Sequence, residues 1–119
     1  MDLTVDVTKK SGSGEDLGTL TFYTTVDVEG DILINDVQHC SDSNLLKEST
    51  AQAEYARSEI YGGPKFFDLD ETLQDEFADY LEKREIDYAL ASFAQTYAEW
   101  KEHNLYMDWL RKVKGFVEK

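Results

Sequence analysis

Basic residues are scarce in this chain: 12 Lys and Arg stand against 25 Asp and Glu, a formal charge of −13. Such a surface cannot wrap duplex DNA, because neutralising phosphates takes clustered cations. It favours cationic proteins and basic tails instead. Cysteine is scarcer still. The single Cys40 excludes an intrachain disulfide and is compatible with a reducing compartment. No apolar run approaches the roughly 18 residues that a membrane span needs. A targeting peptide is also missing: Met1-Asp2-Leu3-Thr4-Val5-Asp6 is acidic and strand-like. The chain therefore reads as cytosolic, or as preceded by a targeting segment.

What is present reads as one folded domain over residues 1–119, since 41% hydrophobic and 13% aromatic residues are too many for a disordered chain. Leu3, Val5 and Val7 alternate with polar residues, the period-2 mark of a half-buried strand. Ser11-Gly12-Ser13-Gly14 is a flexible connection. Leu20, Phe22, Thr24, Val26 and Val28 alternate next, Glu29-Gly30-Asp31 breaks the run, and Ile32, Ile34 and Val37 open another strand. Residues 17–38 thus predict an antiparallel hairpin. Polar Ser41–Glu54 reads as a loop, and Tyr55–Tyr61 as a fourth strand ended by Gly62-Gly63-Pro64. Ala51, Ala53 and Ala56 suit a short helix equally well.

The second half reads as helices. Asp68 and Glu71 stand at capping-box spacing, and Leu69, Leu73, Phe77, Tyr80 and Leu81 recur at three- and four-residue steps. Asp87 is placed to cap a last helix of about thirty residues, roughly 45 Å long at 1.5 Å per residue. Its stripe runs through Leu90, Phe93, Ala94 and Tyr97, then Tyr106, Trp109, Leu110, Val113, Phe116 and Val117, with Trp100, Leu105 and Met107 off the line. A helix apolar on more than one side outreaches a small sheet. Burial against another subunit is the expectation, through Tyr97, Trp100, Tyr106, Trp109, Val113 and Phe116.

Charge is uneven: Asp68–Asp87 holds nine acids against two bases, while Lys101–Lys119 holds five bases against three acids. Asp68, Asp70, Glu71, Asp75, Glu76, Asp79 and Glu82 are the candidate surface for a basic partner, against the plainer reading of a solvated helix face. They do not form a calcium loop. Counting from Asp68, the sixth position is Leu73 instead of Gly, and the twelfth is Asp79 instead of Glu. His39 and Cys40 are strand neighbours that point to opposite faces, and His103 stands far off, so no zinc or nucleophile–base kit is spelled out. Ser11–Glu15 lacks the Gly-Lys-Ser/Thr ending of a phosphate cradle. No enzyme, metal site or cofactor emerges. A carboxylate-based enzyme needs a cleft that raises one pKa, which a sequence does not display. An RNA-binding module using Lys101, Arg111, Lys112 and Lys114 beside the helix aromatics is the remaining alternative, although those bases also suit a helix C-terminus.

The run Phe67-Asp68-Leu69-Asp70-Glu71-Thr72-Leu73-Gln74-Asp75-Glu76-Phe77, with Tyr80-Leu81-Glu82-Lys83-Arg84-Glu85-Ile86-Asp87 after it, resembles the penultimate helix of the mitochondrial glycoprotein family. These are acidic matrix proteins, among them the complement globular-head-binding protein. Lys101 to Val117, with Tyr106, Trp109-Leu110 and Phe116, resembles the family's closing helix. The resemblance covers nearly the whole chain. It implies an α+β fold, an antiparallel sheet of about four strands here followed by two helices, in a doughnut-shaped homotrimer. The implied protein is non-enzymatic and of the mitochondrial matrix. It would bind basic mitochondrial proteins in a chaperone-like or scaffolding role, supporting RNA processing, translation or oxidative phosphorylation. Contact with nucleic acid would then run through partners. Two departures stand out. The family's presequence, N-terminal helix and first strands have no counterpart here, so the chain looks like the C-terminal two-thirds of the domain. Glu85 occupies a turn where the family has Gly or similar, which is strained if φ is positive there.

Overall fold

The computed structural model describes all 119 residues. Three antiparallel strands come first: β1 (Asp2–Lys10), β2 (Asp16–Val26) and β3 (Ile32–Cys40), with β2 in the middle. A 3-10 turn (Ser43–Leu46) and a short helix α1 (Ala51–Ser58) follow, then a second 3-10 turn (Phe66–Asp68), α2 (Glu71–Glu82) and α3 (Tyr88–Val117). The α+β order is as expected, with one correction. The segment read as a fourth strand, with the end of the loop before it, is α1. Thr50 caps α1 by accepting the Ala53 N–H at 3.1 Å, and the alanines supply the propensity.

Paired residues on adjacent antiparallel strands point to the same side of the sheet. Val5, Phe22 and Val37 therefore share one face with the Val7–Leu20 and Thr24–Ile34 pairs. Ile34 and Val37 are an odd number of residues apart, which strict alternation forbids. A β-bulge at Asn35 reconciles them: Tyr23 pairs with Asp36 and Thr24 with Ile34, so Asn35 is the extra residue. Phe22, fully buried, is the centre of this face. The Phe77 and Tyr80 rings of α2 each lie 6.0 Å from it, and Leu81 and Phe66 complete the core. The Arg84 guanidinium closes the far side of Tyr80, 3.5 Å from the ring centroid.

The start of α2 is not the expected capping box. Its N-cap is Asp70, whose side chain makes no capping bond, and Asp68 closes the 3-10 turn instead. Gln74 ties the two together by donating from Nε2 to the Leu69 carbonyl at 2.9 Å. At the other end, Ile86 N–H reaches the Leu81 carbonyl and Glu85 N–H the Glu82 carbonyl, a Schellman closure with Glu85 at φ 63°. The strain anticipated at Glu85 is therefore present, about 1 kcal/mol for a side chain in the left-handed region. Asp87 caps α3 as expected, accepting the Leu90 N–H at 3.1 Å.

On its other face the sheet is polar and closed at one end by a hydrogen-bond chain. Thr8 Oγ1 lies 2.8 Å from Thr19 Oγ1, which lies 2.7 Å from Ser43 Oγ, and that hydroxyl donates to Asp16 Oδ1. Asp16 also accepts the Ser43 and Gly18 N–H groups. The Ser43 N–H, then the Gly18 N–H and the Ser43 hydroxyl, hold the Asp16 carboxyl below its ordinary pKa. A depressed carboxylate pKa contributes stability that is present above the unfolded value, near 3.9, and is lost as pH falls through the lower folded value. In thermal melts, Asp16→Asn is expected to lower the midpoint at pH 7. The variant should lose less than the parent between pH 4 and pH 2, and parallel losses would show that Asp16 is not this anchor.

Candidate functional site

α2 and the turn before it present the acidic surface. Asp68, Asp70, Glu71, Asp75, Glu76, Asp79 and Glu82 are all exposed, while Phe77, Tyr80 and Leu81 turn inward. One base answers them locally. Lys83 Nζ lies 2.9 Å from the Asp79 carboxylate, and this hydrogen bond holds the ammonium pKa above its ordinary value. The other six carboxylates make no ion pair within the chain.

α3 leaves the body. From Thr96 to Lys119 every residue is exposed, and the radius of gyration is 18.6 Å. A compact chain of this length gives about 13.5 Å. Its aromatics form two groups: Phe93, Tyr97 and Trp100 in one stacked series, Tyr106 against Trp109 in another. At about 100° per residue the second group, extended by Leu110, Val113 and Phe116, lies roughly 180° round the axis from the first. The second stripe continues the side of buried Ala91, and the first faces away from it. Trp100 and Trp109 are 62% and 56% exposed, so neither stripe is covered within the chain. The four bases of the RNA alternative form no stripe, since Arg111 and Lys112 are successive residues about 100° apart and Lys114 points elsewhere. Lys112 and Lys114 are moreover paired to Asp108 and Glu118 of the same helix.

Two features were not legible beforehand. In the β2–β3 turn the carboxylates of Asp27, Glu29 and Asp31 converge within 4.8 Å. Turn geometry accounts for this: Asp27 Oδ1 accepts the N–H groups of Glu29 and Asp31, both at 2.9 Å. The second is a groove of about 450 Å³ between the start of β3 and α2, floored by Ile34, Phe66, Leu81 and Ile86. Gly30 shapes one end of it. Its φ of 91° favours glycine, and a Cβ there would sit 2.5 Å from the Tyr88 ring, so glycine lets the Tyr88 ring at the start of α3 lie against the turn. His39 is exposed and Cys40 buried, its thiol 3.1 Å from the Asp42 carbonyl, and His103 lies on the exposed part of α3.

Residues 1–117 match the mitochondrial glycoprotein (MAM33) family. The chain belongs to that family. Among curated proteins it is similar to the mitochondrial acidic protein mam33 of Schizosaccharomyces pombe, with 37% identity over 101 residues, 85% of this chain and 37% of that protein. It is similar also to an uncharacterized mitochondrial protein of Arabidopsis thaliana, 32% identical over 116 residues, 98% of this chain and 40% of the relative. Among solved structures, it is similar to a Leishmania major protein described as a sequence homologue of human p32. The TM-score is 0.82 at 29% identity, covering 97% of this chain and 62% of the other. The Trypanosoma brucei p22 protein gives 0.80 at 32% identity, covering 96% and 60%. The chain thus spans about two-fifths of the curated relatives' length and three-fifths of the solved chains. Family and relatives alike place it among mitochondrial proteins.

Asp27→Ala should lower unfolding stability by about 1 kcal/mol, because two N–H groups lose their acceptor. Millimolar calcium should leave the melting temperature of the parent unchanged. A rise with calcium that Asp27→Ala abolishes would make the trio a metal site.

Proposed function

We propose that this member of the mitochondrial glycoprotein family is a non-enzymatic binding protein of the mitochondrial matrix. Its acidic α2 surface holds basic protein partners in a chaperone-like or scaffolding role, in support of RNA processing, translation or oxidative phosphorylation. The observation that carries this reading is the exposed carboxylate series of α2 and the turn before it, six of whose seven members have no ion-pair partner within the chain. An acidic relative in the same family supports it. Exposed pairs are each worth little, so affinity of this kind comes from many weak contacts and is screened by salt.

The assembly we propose is a homotrimer built through α3, with Tyr97, Trp100, Tyr106, Trp109, Val113 and Phe116 in its contacts. Two apolar stripes on opposite sides of one helix call for two different neighbours. A closed ring supplies two neighbours per subunit through unlike patches, whereas a twofold dimer supplies one. Each large apolar side chain taken out of water contributes roughly 1.5–3 kcal/mol, so covering both stripes is a substantial driving force.

Titration with a fluorescent lysine-rich protein, at salt concentrations from about 50 to 500 mM, tests the binding function. The expected result is an affinity that falls steeply as salt rises, and that weakens at fixed salt when Asp75, Glu76 and Asp79 are changed to the neutral amides. Binding that is absent, or indifferent to both salt and these substitutions, would overturn it.

A further inference from the structure

The groove beside α2 differs from the rest of the acidic surface in having an apolar floor. Ile34, Phe66 and Leu81 beneath it are almost fully buried, and half-buried Ile86 closes one side. Asp31, Asp75 and Glu82 are the exposed charges at its edge, and no Lys, Arg or His lines it. Its wall is also an unpaired strand edge. β3 lies at the border of the sheet, and no backbone hydrogen bond from outside the sheet reaches Ile32, Leu33 or Ile34. Three recognition elements therefore meet in one place: backbone donors and acceptors for an added strand, an apolar slot, and a ring of carboxylates.

We propose that this groove is a docking site for an extended basic peptide segment in which a large apolar side chain has cationic side chains two residues before and two residues after it. Its backbone adds to the β3 edge at Ile32–Ile34, one apolar side chain enters the slot over Leu81 and Phe66, and flanking Lys or Arg side chains reach Asp75 and Glu82. The two-residue spacing follows from strand geometry, because side chains i−2, i and i+2 of an added strand share one side, here the side that faces α2. Charge complementarity selects a basic segment, and a volume of about 450 Å³ accommodates a large side chain. The proposal deepens the function proposed above: it separates one selective site from the diffuse electrostatic surface of α2.

Two fluorescein-labelled synthetic peptides of equal charge test it by anisotropy in about 150 mM salt. One is Lys-Lys-Ser-Phe-Ser-Arg-Lys and the other Lys-Lys-Ser-Ser-Ser-Arg-Lys. The apolar peptide is expected to bind about tenfold or more tightly than the polar one, as burial of a large side chain implies. Ala78→Trp fills the groove from an exposed position on α2 and should abolish that difference without weakening the polar peptide. Asp75→Lys with Glu82→Lys should weaken the apolar peptide more than Asp70→Lys with Glu76→Lys, which changes the charge equally outside the groove. Equal affinity for the two peptides, or full selectivity retained in Ala78→Trp, would overturn the site while leaving the general binding of cations standing. Failure of both peptides to bind would sink the proposed function together with the site. If Ala78→Trp instead lowers the sedimenting mass of the protein, the groove holds a second copy of the chain, and the peptide assignment is wrong.

Discussion

A three-stranded sheet with one polar face has a single apolar surface, and α2 occupies it. Phe22 is fully buried at its centre, and the Phe77 and Tyr80 rings close over it at 6.0 Å. The bulge at Asn35 is what lets β3 add both Ile34 and Val37 to the same surface. Once Leu81 and Ile86 are in place the sheet has no room for a second helix of thirty residues. The Schellman turn at Glu85 sends α3 past the edge of the body, and only its first turns find cover there. Most of the molecule's unusual shape follows from that shortage of apolar surface.

The same shortage separates assembly from recognition. The apolar stripes that lack cover are on α3, and a dense series of exposed carboxylates lies on α2 and the turn before it. In the proposed protein, α3 is consumed by contacts between copies and α2 stays open to solvent and to basic partners. The groove lies at the join of β3 and α2, where Tyr88 of α3 rests on Gly30, so its shape depends on how α3 departs from the body. A partner seated there would contact the part of the fold that also fixes the direction of α3.

Much of this architecture was legible in the sequence, for identifiable reasons. β1 and the β2–β3 hairpin were marked by period-2 alternation, and α3 by long helical periodicity with Asp87 as its cap. The Ala-rich segment after Thr50 was ambiguous because propensity is weak over eight residues, and the Thr50 cap decided it as helix α1. Asp68 and Glu71 had the spacing of a capping box, but Phe66–Asp68 is a 3-10 turn, which moved the cap to Asp70. The uneven spacing of Ile32, Ile34 and Val37 was the trace of the bulge. The acidic surface was visible as charge density alone. The groove was not visible at all, since Asp31, Ile34, Phe66 and Leu81 come together only when α2 folds back onto the hairpin.

In the proposed trimer the exposed flanks of α3 are covered by further copies of the chain. Sedimentation equilibrium at micromolar concentration decides whether they are. A mass near three times the 13.7 kDa of one chain is expected, with a melting temperature that rises with protein concentration. A dimer would overturn the threefold ring. A well-folded monomer, with the same melting temperature across a hundredfold range of concentration, would show that no further copy covers α3.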